Sequence, residues 1–147
     1  MRLWIIAVGR VAKQAGMRAE LDDYLGRLRR YAKCEEVELK EGSDAEVAER
    51  FRKAIPPRAR TVALEVAGDR WTSDKLAKFL GDCDLHAVTE VAFLIGGSYG
   101  LPADISKGAD RRLSLSDLTL PHRLARLVLA EQLYRGFTIL RNEPYSH

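Results

Sequence analysis

Residues 113–137 constrain the fold of this chain more than any other part of its sequence. They begin with alternating leucine and hydroxyl residues, LSLSDLTL, which favour a β-strand, and they continue through Pro121 into a helix. The apolar residues of this helix lie around its whole circumference: Leu124, Leu127, Val128, Leu129, Leu133, Tyr134 and Phe137. Such a helix must be buried on two sides. Because the chain has only 147 residues, we expect the second side to meet another subunit through Leu127, Val128 and Tyr134.

Strand and helix patterns alternate along the rest of the chain. The predicted strands are 3–8, 36–39, 61–66, 90–95 and 113–116. Helices are predicted at 12–32, after a cap at Ser43 or Asp44, after a cap at Ser73, at 104–109, and from Pro121 or His122 onward. The Gly68-Asp69 pair is predicted to turn the chain after the third strand. Strands separated by helices predict an α/β fold, a parallel sheet with helices on both faces.

Two of the predicted strands also indicate their places in the sheet. Residues 91–95 contain no polar side chain, which is typical of a central strand in a parallel sheet. Residues 36–39 are short and charged, which favours an edge position. The chain has no repeats and no interdomain linker, so a single domain is expected.

The composition predicts a globular protein without a membrane segment. Hydrophobic residues make up 46% of the chain and charged residues 31%, a balance that extended disorder lacks. The longest uncharged stretch, 91–103, is shorter than the roughly 20 residues of a transmembrane helix. The apolar run 3–8 is too short for a secretory signal. Cys34 and Cys83 show no CxxC spacing, so reduced, partly buried thiols in a cytoplasmic protein are expected, with no metal site.

A glycine-rich loop, Gly96-Gly-Ser-Tyr-Gly100, follows the predicted central strand. Ligands of open α/β sheets bind beyond the carboxyl ends of the strands, and glycines there let backbone groups approach a ligand closely. The spacing is not the dinucleotide pattern GxGxxG, and Pro102 separates the loop from the next helix, so the sequence does not favour a Rossmann phosphate site. The alternative to a ligand site is a tight turn without function.

Residues 115–120 have the character of an adenine-binding slot. Hydroxyls and backbone groups offer donors and acceptors there, and leucines offer an apolar wall: Ser116 and Thr119, with Leu115, Leu118 and Leu120. The alternative is a core strand followed by a capped turn.

Four arginines follow one another near the C-terminus: Arg123, Arg126, Arg135 and Arg141. Guanidinium groups make planar, bidentate contacts with phosphate, so these residues favour a nucleic-acid partner. The net charge of +3 is too small to decide the matter. The alternative is a solvated helix face, on which Glu131 pairs with Arg135 four residues later.

Ordered motifs along the whole chain resemble the ribosomal RNA large subunit methyltransferase H family of the SPOUT superfamily. They are AVG at 7–9, LIGGSYGL at 94–101, LSLSDLTLPH at 113–122, EQLYR at 131–135 and PY at 144–145. The resemblance implies one SPOUT domain over residues 1–147, a C-terminal trefoil knot, a homodimer and S-adenosylmethionine as methyl donor. The implied reaction is methylation at N3 of a pseudouridine in the subunit-interface stem-loop of 23S rRNA. Periodicity alone could not predict a knot, because knots are very rare.

The resemblance also implies a set of site residues in this chain. The cofactor site of the family falls on eight positions: Leu64, Gly96, Leu115, Ser116, Asp117, Leu118, Thr119 and Leu120. The flat rings and guanidinium groups near the C-terminus suit base stacking and phosphate pairing, and we expect four of them to bind the RNA: Arg135, Arg141, Tyr145 and His147. The family usually ends Pro-Tyr-His, whereas Ser146 separates Tyr145 from His147 here. A frayed terminus without a role is the alternative.

Methyl transfer to N3 requires alignment of donor and acceptor and removal of the imide proton. His122 is the first candidate catalytic residue, as general base, and His147 is a second candidate base. In the rival mechanism an arginine such as Arg126 stabilises loss of the proton to water. A histidine after a proline is also an ordinary first residue of a helix.

The expected partners are a second copy of the chain and 23S rRNA, within the large subunit or the assembled ribosome, and no membrane. Two other functional classes fit the same residues. One is a nucleotide-binding module without catalysis, and the other is a dimeric RNA-binding protein with a vestigial pocket.

Overall fold

The computed structural model describes residues 1–14 and 16–145, so the predicted site residue His147 lies outside the described part. Strands and helices alternate through these residues: β1 (Arg2–Val8), α1 (Gly16–Leu28), β2 (Lys33–Leu39), α2 (Asp44–Ala54), β3 (Arg60–Arg70), α3 (Ser73–Leu85), β4 (Glu90–Ile95), α4 (Ala103–Gly108), β5 (Arg111–Ser114) and α5 (His122–Leu140). The predicted alternation is confirmed. The bounds differ most at α1, which is shorter than predicted, and at β3, which is longer.

The five strands form one sheet in the order β2-β1-β4-β3-β5, and every neighbouring pair is parallel. The apolar strand β4 occupies the centre, where its residues 91–95 are buried, and the charged strand β2 lies at an edge. Both positions agree with the sequence patterns, because a central parallel strand is covered on both faces and an edge strand is not.

Helices cover both faces of the sheet, which confirms the α/β class. On one face, leucines of α1, α3 and α5 pack against β1 and β4 in a cluster that includes Leu25, Leu80 and Leu133. On the other face, α2 and α4 bury Phe51 and Ile105 against Ile6 and Leu94. No helix in residues 1–14 and 16–145 has the length and apolar character needed to cross a membrane.

Helix α5 lies between α1 and α3, so its own protomer covers much of its apolar surface. Tyr134 is 8% exposed, with its ring near those of Tyr24 and Tyr31. Tyr134, one of the three predicted contacts with a second subunit, is therefore covered mostly by its own protomer. The sequence pattern shows that Tyr134 is buried but not by which chain. Leu127 and Val128, the other two predicted contacts, are half-buried.

The predicted turn at Gly68-Asp69 is wrong, because β3 continues through it to Arg70 as a bulged strand. Leu64 and Asp69 both pair with Leu113, so the intervening residues bulge out of the ladder. Gly68 allows this, since a Cβ there would lie 2.9 Å from backbone atoms of Arg112 and Leu113. The bulge keeps residues 65–67 at the carboxyl end of the sheet.

The helix caps follow the sequence at α2 and shift by one residue at α3. Ser43 caps α2 in a reciprocal capping box with Glu46, as predicted. At α3 the cap is Thr72, whose Oγ1 accepts a hydrogen bond from Lys75 N at 3.1 Å. Ser73, the predicted cap, instead donates its hydroxyl to Gln132 Oε1 on α5 at 2.6 Å.

Cys34 and Cys83 are free and buried.

Candidate active site

A cleft of about 540 Å³ opens at the carboxyl ends of β3, β4 and β5. Three segments and Ala125 of α5 line it: the segments are 64–66, most of 95–101, and most of 115–122. The parallel topology explains this convergence, because every strand ends at the same edge of the sheet. This is the edge at which open α/β sheets bind ligands.

Seven of the eight predicted cofactor residues line the cleft: Leu64, Gly96, Leu115, Ser116, Leu118, Thr119 and Leu120. Asp117 is outside the lining. Its carboxylate points to solvent and pairs with Arg70 at 2.9 Å, on the extension of β3 that the sequence did not predict. The two hydrophobic residues nearest the strand ends, Leu64 and Leu115, pack against the core beneath the cleft.

The glycine loop folds back onto itself at the end of β4. A Cβ on Gly96 would lie 2.3 Å from the carbonyl carbon of Gly100 and 2.4 Å from the nitrogen of Leu101. Gly100 has a φ of +80° and donates its N–H to Gly97 O at 3.0 Å. Only a glycine at position 96 permits this close backbone approach. Three glycines of the loop, Gly96, Gly97 and Gly100, line the cleft without a side chain.

The opposite wall of the cleft is shaped by hydroxyl groups. Ser114 donates its hydroxyl to Ser116 O at 2.9 Å, and Ser116 Oγ accepts the N–H of Leu118 at 2.9 Å. These local bonds turn the chain sharply between β5 and α5. Leu118 remains 75% exposed at the rim.

His122 begins α5 and also lines the cleft. Its ring lies against Gly9, where an added Cβ would be 3.0 Å from His122 Cε1. Burial, and then the positive charges of Arg123 and Arg126, lower the pKa of His122, so the imidazole is neutral at pH 7. Its Nδ1 is buried without a hydrogen-bond partner among residues 1–14 and 16–145. A buried ring nitrogen without a partner is rare in folded proteins and is a common feature of functional sites.

Comparison with known proteins identifies the family. A family model described as "Predicted SPOUT methyltransferase" matches residues 1–147. A protein of Sorangium cellulosum named Ribosomal RNA large subunit methyltransferase H is 50% identical over the full length of both chains. A protein of the same name from Geobacter metallireducens is 44% identical, over all of this chain and 99% of its own. The chain belongs to the ribosomal RNA large subunit methyltransferase H family of SPOUT methyltransferases.

A solved structure supports the fold of this SPOUT protein. The probable methylase family protein from Haemophilus influenzae Rd KW20 superposes with a TM-score of 0.56 at 10% identity. The match covers 99% of this chain and 70% of that one. At such low identity the likeness concerns architecture alone.

Arg126, the second predicted catalytic residue, is fully buried away from the cleft lining. Its Nη1 donates to Glu36 at 2.8 Å and also to Glu38, and its Nη2 donates to Gly9 O at 3.2 Å. Arg18 of α1 bonds the same two carboxylates. Burial opposes ionisation of Glu36, but hydrogen bonds from Arg18 and Arg126 outweigh it and lower the pKa of Glu36. Arg126 thus ties α5 to β2 and to the turn beneath His122.

Three of the predicted RNA-binding residues, Arg135, Arg141 and Tyr145, lie on α5 or just after it and do not line the cleft. Tyr145 donates its hydroxyl to Glu131 Oε2 at 2.7 Å, and Arg135 holds the same carboxylate at 2.8 Å. The Arg135 guanidinium also lies 4.9 Å from the Tyr145 ring centroid. Arg141 lies 5.1 Å from the ring of Tyr31. The structure therefore brings Tyr145 and Arg135 together, whereas Arg141 packs against a different ring.

The lining residues that were not predicted as site residues include Glu65, Val66 and Ala125. Glu65 could have been found as a carboxylate at the carboxyl end of a strand. Ala125 lies one turn after His122, on the same face of α5. Val66 was missed because β3 was predicted to end there, whereas the strand continues through a bulge that brings Val66 to the cleft.

Proposed function

We propose that this protein transfers a methyl group from S-adenosylmethionine to 23S rRNA, at N3 of a pseudouridine in the subunit-interface stem-loop. The observation that carries the proposal is the glycine-walled cleft at the carboxyl ends of β3, β4 and β5, in a chain that matches a methyltransferase family over its full length. The rRNA substrate is supported by the names of the relatives. The pseudouridine and its atom N3 rest on the resemblance of the sequence motifs.

The cleft suits S-adenosylmethionine in size and chemistry. Its volume of about 540 Å³ lies within the roughly 300–1,000 Å³ of small-molecule sites. The backbone of 96–101 and 118–120 would bond the edge of the adenine, and Leu64 and Leu115 would contact its faces. The Glu65 carboxylate would accept hydrogen bonds from the ribose hydroxyls. Bound there, S-adenosylmethionine supplies an electrophilic methyl group for in-line displacement.

The chain's own contributions are alignment and proton removal. The rigid glycine loop and the wall at 115–120 fix one reactant, and such alignment is worth roughly 7–11 kcal/mol in favourable cases. The N3 nitrogen must lose its proton to expose a lone pair. His122 is neutral and lines the cleft, so we propose that it accepts this proton.

Replacing His122 with glutamine should lower kcat on the order of 100- to 10,000-fold, as loss of a general base does, with little change in affinity for S-adenosylmethionine. Because the pKa of His122 is lowered, wild-type activity should stay level as pH falls through about 6.5, the ordinary histidine value, and decline only below it. The acid decline should vanish in the variant. His86→Gln, at the exposed C-cap of α3, is the matched control. An unchanged kcat would assign proton removal to water.

The oligomeric state and location form part of the same proposal. We propose a cytoplasmic homodimer of one SPOUT domain, 1–147, with the C-terminal trefoil knot that the family resemblance implies. The half-buried Leu127 and Val128 and the 42% exposed Leu140 leave apolar surface along α5 for a second copy. Sedimentation equilibrium at micromolar concentration should give twice the chain mass. A stable monomer with full methylation activity would contradict the homodimer.

The tail should serve the RNA rather than the cofactor. Tyr145→Ala should reduce methylation of ribosomal RNA on the order of tenfold or more, because stacking on a base is worth about 1–3 kcal/mol. Calorimetric affinity for S-adenosylmethionine should not change. Tyr145→Phe keeps the ring but loses the hydrogen bond to Glu131, so it should retain most of the activity. Wild-type methylation by Tyr145→Ala would show that the tail has no role in substrate binding.

Two measurements separate this function from its rivals. Calorimetry should show binding of S-adenosylmethionine, and transfer of a labelled methyl group should occur to large ribosomal subunits or their 23S rRNA. A nucleotide-binding module would bind another adenine ligand and transfer nothing. An RNA-binding protein with a vestigial pocket would bind ribosomal RNA without binding the methyl donor. Either result would overturn the proposal.

A further inference from the structure

Basic side chains cluster at the amino ends of the parallel strands, on the side of the sheet opposite the cleft. Arg2 begins β1, Lys33 begins β2 and Arg60 begins β3. The loops that enter these strands add three more arginines. We call this surface the amino edge, and we define it by Arg2, Arg29, Arg30, Lys33, Arg58 and Arg60.

The amino edge is concave and continuous. One hollow of about 530 Å³ is lined by Arg2, Arg29, Arg30 and Lys33. A second hollow of about 450 Å³ is lined by Arg58 and Arg60. Both hollows include Thr89, so they adjoin at the start of β4. This shape and charge suit an extended polyanion.

The positive charges of this surface are not neutralised within the protomer. None of the six basic side chains has a carboxylate oxygen within 4.0 Å among residues 1–14 and 16–145. The hollows contain two carboxylates, and both accept hydrogen bonds from neutral groups. Glu90 accepts from Trp4 Nε1 at 2.9 Å, and Asp110 accepts from the N–H of Thr61 at 2.8 Å.

The opposite edge, around the cleft, has a mixed charge. The strand ends, loops and helix starts at this edge carry acidic and basic residues in similar numbers: Glu41, Asp44, Glu65, Asp69 and Asp117, beside Arg10, Lys13, Lys40, Arg70 and Arg123. Phosphate groups are therefore attracted less strongly at the edge that holds the proposed chemistry than at the edge remote from it.

We propose that the amino edge binds the phosphate backbone of a second segment of the RNA substrate, apart from the methylated base. The inference rests on the proposed rRNA methyltransferase function and adds where the substrate is held. The six residues of β4 separate the two edges, and at about 3.3 Å per residue they span roughly 20 Å. An isolated stem-loop at the cleft would leave the amino edge free, whereas folded ribosomal RNA offers further phosphates at that distance.

The test compares two triple variants of the full-length chain that remove equal charge. Arg30→Gln, Lys33→Gln and Arg58→Gln neutralise the amino edge, and Lys13→Gln, Lys40→Gln and Lys75→Gln neutralise exposed lysines on the cleft side. Affinity for 23S rRNA is measured against salt concentration. Each lost phosphate contact reduces the magnitude of the slope of log K against log salt by about 0.7–0.9. The magnitude of the slope should therefore fall by about 2 to 3 in the amino-edge variant and by less than about 1 in the control variant. Affinity for S-adenosylmethionine and the unfolding midpoint should match the wild type in both.

Equal slopes for the two variants, or a larger loss in the control variant, would overturn the inference. The inference would also be overturned if the amino-edge variant keeps the wild-type RNA slope but no longer binds an acidic ribosomal protein. That result would assign the surface to a protein partner. The RNA-binding slopes do not depend on methyl transfer. If the wild type binds 23S rRNA but transfers no methyl group, the proposed function fails while the comparison of slopes still decides the binding surface.

Discussion

Replacing Gly96 with alanine should weaken binding of S-adenosylmethionine strongly. The new Cβ would lie 2.3 Å from the Gly100 carbonyl carbon and 2.4 Å from Leu101 N, distances that no real Cβ contact reaches. The backbone of the glycine loop must therefore move, and it is this backbone that would bond the adenine. Loss of two such bonds, at about 1–1.5 kcal/mol each, corresponds to an affinity loss on the order of 100-fold. Valine, which is larger, should have at least the same effect.

The control for this variant is Gly26→Ala. Gly26 lies on the exposed face of α1, and a Cβ there meets nothing within 4 Å. Alanine should be tolerated there, and it should raise helix stability by roughly 0.5–1 kcal/mol. Calorimetry with both variants separates a local effect at the cleft from a general effect of removing a glycine. An unchanged dissociation constant for Gly96→Ala would place the cofactor site elsewhere.

Replacing Arg126 with leucine should cost about 3–5 kcal/mol of unfolding free energy, as expected when one partner of a buried ion pair is removed. Arg126 is fully buried, and its loss leaves Glu36 and Glu38 with Arg18 as the remaining cation. Chemical denaturation measures the effect. Arg70→Gln breaks an ion pair whose side chains are 74% and 72% exposed, and it should cost less than about 1 kcal/mol. A similar small loss for Arg126→Leu would show that the buried network does not stabilise the fold.

The same network predicts a pH dependence of stability. The pKa of Glu36 is lowered in the folded state, since bonds from Arg18 and Arg126 outweigh its burial. Its stabilising contribution is therefore complete above the ordinary glutamate value of about 4.3 and is lost as pH falls through the lowered pKa. Arg126→Leu should show a weaker acid loss than the wild type. Adding Glu36→Gln and Glu38→Gln to Arg126→Leu should restore part of the lost stability.

The sheet could be predicted from the sequence because its signals are local. Uninterrupted apolar residues placed β4 at the centre, and charged residues placed β2 at an edge. The cleft followed from the same logic, since a glycine loop after a central strand lies where all parallel strands end. The bulge in β3 escaped because Gly68-Asp69 has the composition of a turn. Whether the chain turns there depends on the close backbone approach of Arg112 and Leu113, residues that are distant in sequence.

The site residues also fall into two groups, those that a local sequence pattern indicates and those that depend on contacts between distant segments. Leu64, Gly96 and His122 occupy strand ends and a helix start, and the sequence alone indicates such positions. The environment of Arg126 depends on β2 and α5 meeting in three dimensions. Glu36 and Glu38 alternate to one face of β2, and an arginine within an apolar helix was the available sign that such partners exist. The contacts of Tyr145 with Glu131 and Arg135 could not be predicted, because a terminal segment carries no periodic pattern.

Mass spectrometry of 23S rRNA from a strain that lacks this gene tests the proposed function most directly. One methyl group on a pseudouridine of the subunit-interface stem-loop should be absent in the deletion strain. Complementation with the wild-type gene should restore it, and complementation with Gly96→Ala should not. A methylation pattern that is the same with and without the gene would contradict the account.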